Sequence, residues 1–456
     1  MIKVVNPEPA TTRLDELLTE TEVGSVFVSN YPPYSFWSAD HTDAAHELLR
    51  VAPEDTPTSD LGLYIHIPFC RKRCKFCYFR VYTDKNASQI QSYLDAVCSE
   101  IELYSQLPRT AGRPLKFVYF GGGTPSYISA RHLRSFVERI TAFMPWSSVE
   151  EITFECEPGT LTEAKLEAIR EIGVTRLSLG VENLNDEILA ENGRAHLAPD
   201  VDRVLPWIQK QKFQQVNVDL IAGMTGESWE RWRDTVARTT DLGADSITVY
   251  QMELPYNTVF SKSISEGKRK ELILADWDTK RQWHAYAFDQ FAAAGYQQSS
   301  AYTMVKDKEQ QHFVYRDALW RGADMIGTGV ASFSHLGAGA TGSLHYQNSP
   351  SWDGYLGALA EGRLPIERAL PVSPREELTR QMILQLKLGR VETAYFKTQF
   401  GIDITEQFST ELDQLRAEGM LDYNAEGVRL TPTGLLRVDQ LLPLFYDERH
   451  RNSRYT

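Results

Sequence analysis

Three cysteines stand directly after a β-rich apolar run, and this arrangement constrains the chain more than any other stretch. The run Leu63–Pro68 is followed by Cys70, Cys74 and Cys77, out of only five cysteines in 456 residues, so chance spacing is a poor explanation. A closed zinc site needs four ligands, usually in two pairs, and no Cys or His pair follows at ligand spacing. An iron–sulfur cubane normally takes four thiolates. Three thiolates on one loop would leave one iron open, as a catalytic metal site requires.

The cysteine loop and the residues before it resemble a known superfamily. The spacing C-x3-C-x2-C, with Phe76 before the last cysteine, resembles the signature of the radical S-adenosylmethionine (SAM) superfamily. The stretch Tyr64–Cys70, which reads YIHIPFC, resembles the opening of the oxygen-independent coproporphyrinogen III oxidase family. The resemblance implies a [4Fe-4S] cluster on the three cysteines, with Tyr64 beneath it and SAM on the open iron. It further implies that a 5′-deoxyadenosyl radical abstracts a hydrogen atom from an unreactive C–H bond.

Charge and hydropathy exclude several other classes of protein. The formal net charge is −13, which argues against a nucleic-acid surface, because phosphate contacts need clustered Lys and Arg. No run of 18 apolar residues is present and the first residues are not a signal peptide, so we expect a cytoplasmic protein without membrane contact. The basic stretch Arg71–Lys75 is an exception. It offsets cluster charge, receives an acidic flavodoxin- or ferredoxin-type electron donor, or is simply solvated.

Residues 61–255 alternate short β-rich runs with helical patterns, which predicts an α/β fold with a parallel sheet. Six βα repeats predict a curved sheet, and the family resemblance makes it a partial TIM barrel, (β/α)6. Functional groups collect at the C-terminal strand ends of such a sheet. The predicted strands are Leu63–Pro68, Lys116–Phe120, Glu151–Glu157, Arg176–Val181, Gln215–Ile221 and Ser246–Met252, with helices near 87–106, 130–143, 162–172, 199–211 and 227–242.

We divide the chain into four parts. Residues 1–60 form a leader whose aromatic run, Asn30–Trp37, is expected to cover the active site. Residues 61–255 form the radical SAM barrel, and 256–368 form a barrel extension with the second-SAM and substrate region. Residues 369–456 are expected to form a winged-helix-like α+β domain.

The C-terminal part combines helical patterns with a hairpin. Because its helices carry acids as often as bases, we expect a lid or docking role rather than DNA binding. The tail Tyr446–Thr456 is polar and is expected to be frayed. The helical patterns are Pro374–Leu388, Val391–Phe400 and Thr405–Glu418, and the hairpin follows within Gly419–Thr431.

Residues at successive strand ends fall on family positions that hold the first SAM. A glycine run after the second strand resembles the motif that lines the SAM amino group. Glu155 and Glu157 share one face of the third strand, and Glu155 matches a SAM-binding position. A guanidinium suits a carboxylate, and a carboxylate suits ribose hydroxyls. The residues that the resemblance assigns to the first SAM are Gly122, Gly123, Thr124, Glu155, Glu182, Arg194 and Asp219.

Two further groups of residues complete the predicted site. Where the family typically has Gln, this chain has Glu182, and either Glu182 or Glu253 is expected to act as the proton-accepting base. The glycine-rich stretch that includes Gly327, together with Phe333, resembles the part of the family that closes over a second SAM.

The sequence leaves three reactions open. The first is transfer of a methyl or methylene group from a second SAM to an sp2 carbon of an aromatic, conjugated or tetrapyrrole substrate, giving methylation or cyclopropanation. It is favoured by Phe79, which stands where coproporphyrinogen oxidases carry a further cysteine. The second is oxidative decarboxylation of coproporphyrinogen III itself. The third is haem delivery, although the His-Asn pair of the haem chaperone motif is replaced by Tyr315 and Arg316.

Overall fold

The computed structural model describes residues 27–53, 59–266, 274–337 and 342–451. The leader prediction for residues 1–26 therefore lies outside the described residues. Within the described ranges, no helix has the length and apolar character needed to cross a membrane.

The described leader is packed against the rest of the protein. It runs from Phe27 to the helix α1 (Thr42–Leu49). The Tyr31 side chain is fully buried, and its ring centroid lies 4.6 Å from that of Tyr446. Trp37 stacks on His345 with a centroid distance of 5.2 Å. The leader thus bridges the C-terminal residues and the sheet.

Six parallel strands and their helices form the barrel, so the α/β fold expected from the sequence is confirmed. The predicted boundaries of these strands and of five helices agree with the structure to within two residues. Asn, Ser and Thr side chains cap the helix N-termini, as at Asn86 and Ser129, which explains the sharp starts. The strands are β1 (Leu61–Ile67), β2 (Leu115–Gly122), β3 (Glu151–Cys156), β4 (Arg176–Glu182), β5 (Gln215–Ala222) and β6 (Ser246–Gln251), and the helices are α2 (Ala87–Gln106), α3 (Ala130–Phe143), α4 (Glu163–Glu171), α5 (Asp186–Glu191), α6 (Ala198–Gln211) and α7 (Trp229–Asp241).

The same sheet continues on both sides of the barrel strands. It has twelve strands among the described residues, in the order β12-β11-β10-β9-β1-β2-β3-β4-β5-β6-β8-β7. Strand β9 is parallel to β1, with Gly327 opposite Tyr64. The additional elements are α8 (Val259–Ser265), α9 (Trp277–Ala293), β7 (Gln297–Gln298), β8 (Thr303–Val305), α10 (Val314–Leu319), β9 (Asp324–Thr328), β10 (Phe333–Gly337), β11 (Ser343–Asn348), α11 (Trp352–Ala360) and β12 (Ile366–Val372).

Alternation along β1 separates the hydrophobic core from the site. Leu63, Ile65 and Ile67 are fully buried in the apolar core that also contains residues of α2. Tyr64 and His66 point to the opposite face, because successive side chains of a strand alternate, and both line the central cavity.

The C-terminal part is a helical unit with a small sheet of strand order β13-β15-β14. The tail is not frayed as far as Arg451. Tyr446 and His450 are buried, and Tyr31 Oη lies 2.9 Å from His450 Nδ1, so the leader gives the tail a partner that the local sequence does not show. The elements are α12 (Pro374–Leu386), β13 (Arg390–Glu392), α13 (Thr393–Phe400), α14 (Ile404–Gln407), α15 (Ser409–Ala417), β14 (Leu421–Asn424), β15 (Gly427–Leu430), α16 (Pro432–Leu436) and α17 (Val438–Leu441).

Candidate active site

The cysteine loop leaves β1 and is fixed at several backbone positions. The N–H of Cys70 donates to the carbonyl of Tyr82 at 3.1 Å, and the N–H of Cys77 donates to the carbonyl of Cys74 at 3.2 Å. The N–H of Lys75 donates to the carbonyl of Asn192 at 3.0 Å. The loop is therefore held both within itself and against the end of α5.

The three thiols fit a cluster better than a single metal ion. Among the described residues, the ligand atoms of only one Cys, His, Asp or Glu trio, Glu376–Asp447–His450, lie within 4.8 Å of one another. At least one pair of the three sulfurs is therefore more than 4.8 Å apart. Thr124 Oγ1 donates to Cys70 Sγ at 3.3 Å, and Arg194 Nη1 donates to Cys74 Sγ at 3.5 Å. Both contacts stabilise thiolate charge.

The glycine run is placed where backbone must pass close to other groups. Gly122 has φ +110°, and a Cβ there would lie 2.4 Å from the His66 ring, so a side chain is excluded on two counts. The N–H of Gly123 donates to the carbonyl of Ile67, and that of Thr124 donates to the carbonyl of Phe69, both at 2.8 Å. The run is thus tied to the strand that carries the cluster loop.

Three acids from successive strands face the same cavity. Tyr119 Oη donates to Glu155 Oε1 at 2.6 Å, and the N–H of Gly122 donates to Oε2 at 3.2 Å. Burial raises the pKa of Glu155 to about 7, although the Tyr119 hydrogen bond acts to lower it. Ser178 and Asn217 each donate to Asp219 at 2.9 Å. Glu155 and Asp219 are therefore oriented by neutral donors. Each of their oxygen atoms accepts one of these hydrogen bonds and has a second lone pair for a ligand.

Glu182, the third acid, sits in an unusual backbone position. Its φ is +63°, at an irregularity in the β4–β5 register, so the side chain is re-aimed relative to a regular strand. Burial raises its pKa to about 7, partly offset by Arg194, whose Nη1 lies 3.5 Å from Glu182 Oε1. A carboxyl group with such a pKa can exchange a proton near neutral pH.

The turn assigned to a second SAM is fixed by polar groups. Glu100 accepts from the N–H of Gly329 at 2.8 Å, and Asn348 Nδ2 donates to the carbonyl of Gly329 at 3.0 Å. Ala331 has φ +59° and lines the cavity beside Phe333. Gly327 lies within β9, where a Cβ would be 2.0 Å from the carbonyl oxygen of Phe333. Gly327 therefore allows close strand contact rather than forming the cavity wall.

One cavity of about 1270 Å³ connects these groups. Every predicted site residue except Gly327 lines it. Phe76 does so while packing against the apolar cluster of Ile221 and Met252, and Glu253 accepts from the N–H of Phe27 at 3.0 Å. Several other lining residues were not predicted from the sequence. Strand alternation alone could have indicated Tyr119, His66, Ser178 and Arg176, but no motif marks His335, His345 and Arg368.

Comparison with known proteins agrees with this arrangement. Residues 64–238 match the family model of the radical SAM superfamily, and residues 372–437 match the HemN C-terminal domain. The haem chaperone HemW of Synechocystis sp. is 30% identical over 336 residues, which cover 71% of this chain and 77% of that protein. The chain belongs to the HemN-like family of radical SAM proteins.

Other HemN-like relatives match over nearly the whole length. The oxygen-independent coproporphyrinogen III oxidase of Synechocystis sp. is 25% identical over 449 residues, which cover 94% of both chains. The structure of coproporphyrinogen III oxidase (HemN) from Escherichia coli superposes with a TM-score of 0.77 at 22% identity, covering 92% of this chain and 96% of that one. Radical SAM proteins use a [4Fe-4S] cluster and SAM, and this HemN-like protein therefore uses both. The assignment of individual residues to them stays a prediction.

Proposed function

We propose that this HemN-like protein is a radical SAM enzyme that oxidatively decarboxylates propionate side chains of a coproporphyrinogen-type tetrapyrrole. The observation that carries the proposal is the cavity. Its lining includes both the thiols of the cluster loop and the aromatic leader residues Tyr34 and Trp37. The match to the oxidase over 94% of both chains supports it, because such coverage must extend into residues 1–60. The cavity exceeds the roughly 300–1000 Å³ of an ordinary small-molecule site, as SAM and a large substrate together require.

The residues have distinct parts in this proposal. Cys70, Cys74 and Cys77 would hold the cluster, and Glu155 and Asp219 would orient SAM through its polar groups. When bound, the cluster and SAM supply a 5′-deoxyadenosyl radical that abstracts a hydrogen atom from the substrate. The leader and the buried tyrosines exclude water from this step, and an external acceptor takes the electron released on decarboxylation.

Haem delivery is supported less well. The two positions of the chaperone motif are taken by Tyr315, whose ring packs on Tyr119 at 4.3 Å, and by Arg316, which pairs with Asp317 at 2.7 Å. His312, the nearest histidine in sequence, is held by a contact of its Nε2 with the carbonyl of Glu309 at 3.0 Å. The histidine of the chaperone motif is thus replaced at this place by a tyrosine that packs within the protein.

Methylene transfer is a second candidate, and position 79 favours it. The Phe79 side chain is 44% exposed and lines the cavity beside Tyr78, so a ring occupies the place of a thiol. The relatives that match over more than nine tenths of the chain are coproporphyrinogen III oxidases, and they favour decarboxylation instead. In the transfer reaction, the radical would take hydrogen from the methyl group of a second SAM.

An isotope experiment separates the two reactions. The anaerobically reconstituted protein would receive a one-electron reductant, methyl-deuterated SAM and coproporphyrinogen III. Unlabelled 5′-deoxyadenosine with release of CO2 would support the decarboxylase. Deuterium in 5′-deoxyadenosine, together with S-adenosylhomocysteine, would support methylene transfer instead. The reaction would be repeated with haem in place of coproporphyrinogen III. If neither pair of products forms with either compound, a tetrapyrrole substrate is refuted.

We also propose that an acidic flavodoxin- or ferredoxin-type protein delivers the electron at the cluster loop. Arg71 pairs with Glu157 and Lys75 pairs with Glu191, both at 3.2 Å. Lys72 is exposed beside them on a chain of net charge −13, so a local positive surface is available to an acidic partner. Reduction by such a donor should slow with added salt and in Lys72→Glu, whereas a rate unaffected by both would refute docking here.

A further inference from the structure

Arg368 differs from the buried arginines of the cavity wall in its partners. Its Nε donates to Gln347 Oε1 at 2.5 Å, and its Nη1 donates to the carbonyl of Tyr34 at 3.3 Å. Both acceptors are neutral. Among the described residues, the acid that acts on Arg368 is its exposed neighbour Glu367, and adjacent side chains of a strand point to opposite faces. The half-buried guanidinium therefore faces the cavity without a carboxylate beside it.

The other buried arginines of the wall are compensated. Arg194 lies 3.5 Å from Glu182, and Arg380 lies 3.3 Å from Glu377. Arg176 lowers the pKa of both Glu155 and Asp219, so its charge is also balanced by acids. A half-buried guanidinium without a carboxylate beside it is a favourable place for an anionic ligand. Arg368 is consistent with such a site, and burial accordingly lowers its pKa.

Two contacts fix the Arg368 guanidinium at the turn that precedes Phe333. Arg368 and Gln347 face each other in the β11–β12 register, and Gln347 Nε2 donates to the carbonyl of Ala331 at 2.9 Å. The ring of Tyr34, whose carbonyl accepts from Arg368, lies 4.3 Å from the Phe333 ring. Neither of these two hydrogen bonds uses Nη2 of Arg368. The two N–H groups of Nη2 are therefore left for a ligand.

We propose that Arg368 binds a ligand carboxylate at this end of the cavity. The proposal rests on the proposed function for the identity of its ligands. Two ligands have such a carboxylate. One is a second SAM, through its methionine part, and the other is the tetrapyrrole, through a propionate. Gln347 and the leader carbonyl of Tyr34 position the guanidinium, so ligand binding and leader docking use the same side chain.

Binding experiments on the reconstituted protein distinguish the two sources. The variants are Arg368→Gln, which removes the charge, and Arg368→Lys, which keeps it. Arg363→Gln is the matched control, because Arg363 is 64% exposed and pairs only with Glu361 among the described residues. One arm measures the stoichiometry of radiolabelled SAM. The other compares the affinity of coproporphyrin III with that of its uncharged tetramethyl ester.

We expect Arg368→Gln to lower the affinity for one carboxylate ligand about tenfold or more. The affinity of Arg368→Lys should lie closer to that of the wild type, and that of Arg363→Gln should be unchanged. A fall from two SAM molecules to one assigns the site to SAM. Weaker binding of the tetra-acid, with the ester unaffected, assigns it to the substrate. If Arg368→Gln binds SAM and the tetra-acid as the wild type does, the proposal is wrong. If the wild-type protein binds two SAM molecules but no coproporphyrin III, the proposed tetrapyrrole function is wrong. The SAM measurement on Arg368→Gln then still tests whether Arg368 binds a carboxylate.

Discussion

The carboxylate of Glu100 accepts a 2.8 Å hydrogen bond from the N–H of Gly329, which is 229 residues further along the chain. Asn348 Nδ2 and Tyr355 Oη donate to the same carboxylate at 2.6 and 2.5 Å. The side chain is fully buried in α2. One acid thus ties a barrel helix to the turn beside the predicted second SAM.

Replacing Glu100 by Ala should destabilise the protein and loosen this turn. Three donors would lose a buried partner, and we expect the free energy of unfolding to fall by about 3 kcal/mol. Urea denaturation measures the loss, with the exposed Glu138→Ala on α3 as control. An equal effect of the two substitutions would contradict the role given to Glu100.

Replacing Cys70 by Ala should abolish iron binding at the cluster and formation of 5′-deoxyadenosine, because two thiolates on the loop do not retain a cubane. Cys98→Ala is the matched control, since Cys98 is a buried core thiol of α2. Iron content and nucleoside analysis after anaerobic reconstitution provide the readouts. A Cys70→Ala protein that keeps its iron and cleaves SAM would refute the ligand assignment.

Glu182→Gln should uncouple SAM cleavage from product formation. If methylene transfer is the reaction and Glu182 accepts the proton that is lost after methylene addition, 5′-deoxyadenosine should still form while product falls about 100-fold. In the wild type, product formation should rise as the pH passes through about 7, where the carboxylate forms, and this limb should vanish in the variant. Full coupling in Glu182→Gln, with uncoupling in Glu253→Gln, would transfer the role to Glu253.

Lys387→Met should destabilise the junction of the leader and the C-terminal domain. Lys387 Nζ lies 2.6 Å from Asp439 Oδ1 and donates to the carbonyl of Val28 at 2.5 Å. Removing one partner of a buried pair leaves a charge uncompensated and costs about 3–5 kcal/mol. In a double-mutant cycle with Asp439→Asn, the combined loss should be smaller than the sum of the single losses. Strict additivity would show that the two side chains do not interact.

Glu227→Gln should change the pH dependence of stability. Burial raises the pKa of Glu227 from 4.5 to about 8, so the folded state binds its proton more tightly than the unfolded state. This contribution is complete below about pH 4.5 and is lost as the pH rises through about 8. The free energy of unfolding of the wild type, relative to Glu227→Gln, should therefore fall by about 1.4 kcal/mol per pH unit in that window. A difference that stays constant with pH in urea titrations would contradict the buried protonated acid.

The sequence predicted the barrel well because its signals are local. Short β-rich runs mark β1–β6, and helical periodicity marks most of the helices between them. The pairing of β9 with β1 is a long-range contact across more than two hundred residues, and no local pattern encodes it. The extent of the sheet was therefore not predicted.

The site was predicted where a motif carries it. The cysteines and the glycine run have fixed spacings, whereas Arg368 and His335 reach the cavity only through the tertiary pairing of β10–β12. Gly327 illustrates the opposite case. The glycine there is explained by the approach of the Phe333 backbone, so a glycine in a motif need not line the cavity.

The burial of Tyr31 among C-terminal residues has a consequence for the order of assembly. Tyr31 leaves the ribosome early, but groups that enclose it, including Tyr446 and His450, follow more than four hundred residues later. Tyr31 is therefore enclosed only after synthesis has passed His450, whereas Trp37 finds its partner His345 about a hundred residues sooner. A chain interrupted before Tyr446 accordingly has the thiols of the cluster loop but lacks the groups that enclose the leader at Tyr31.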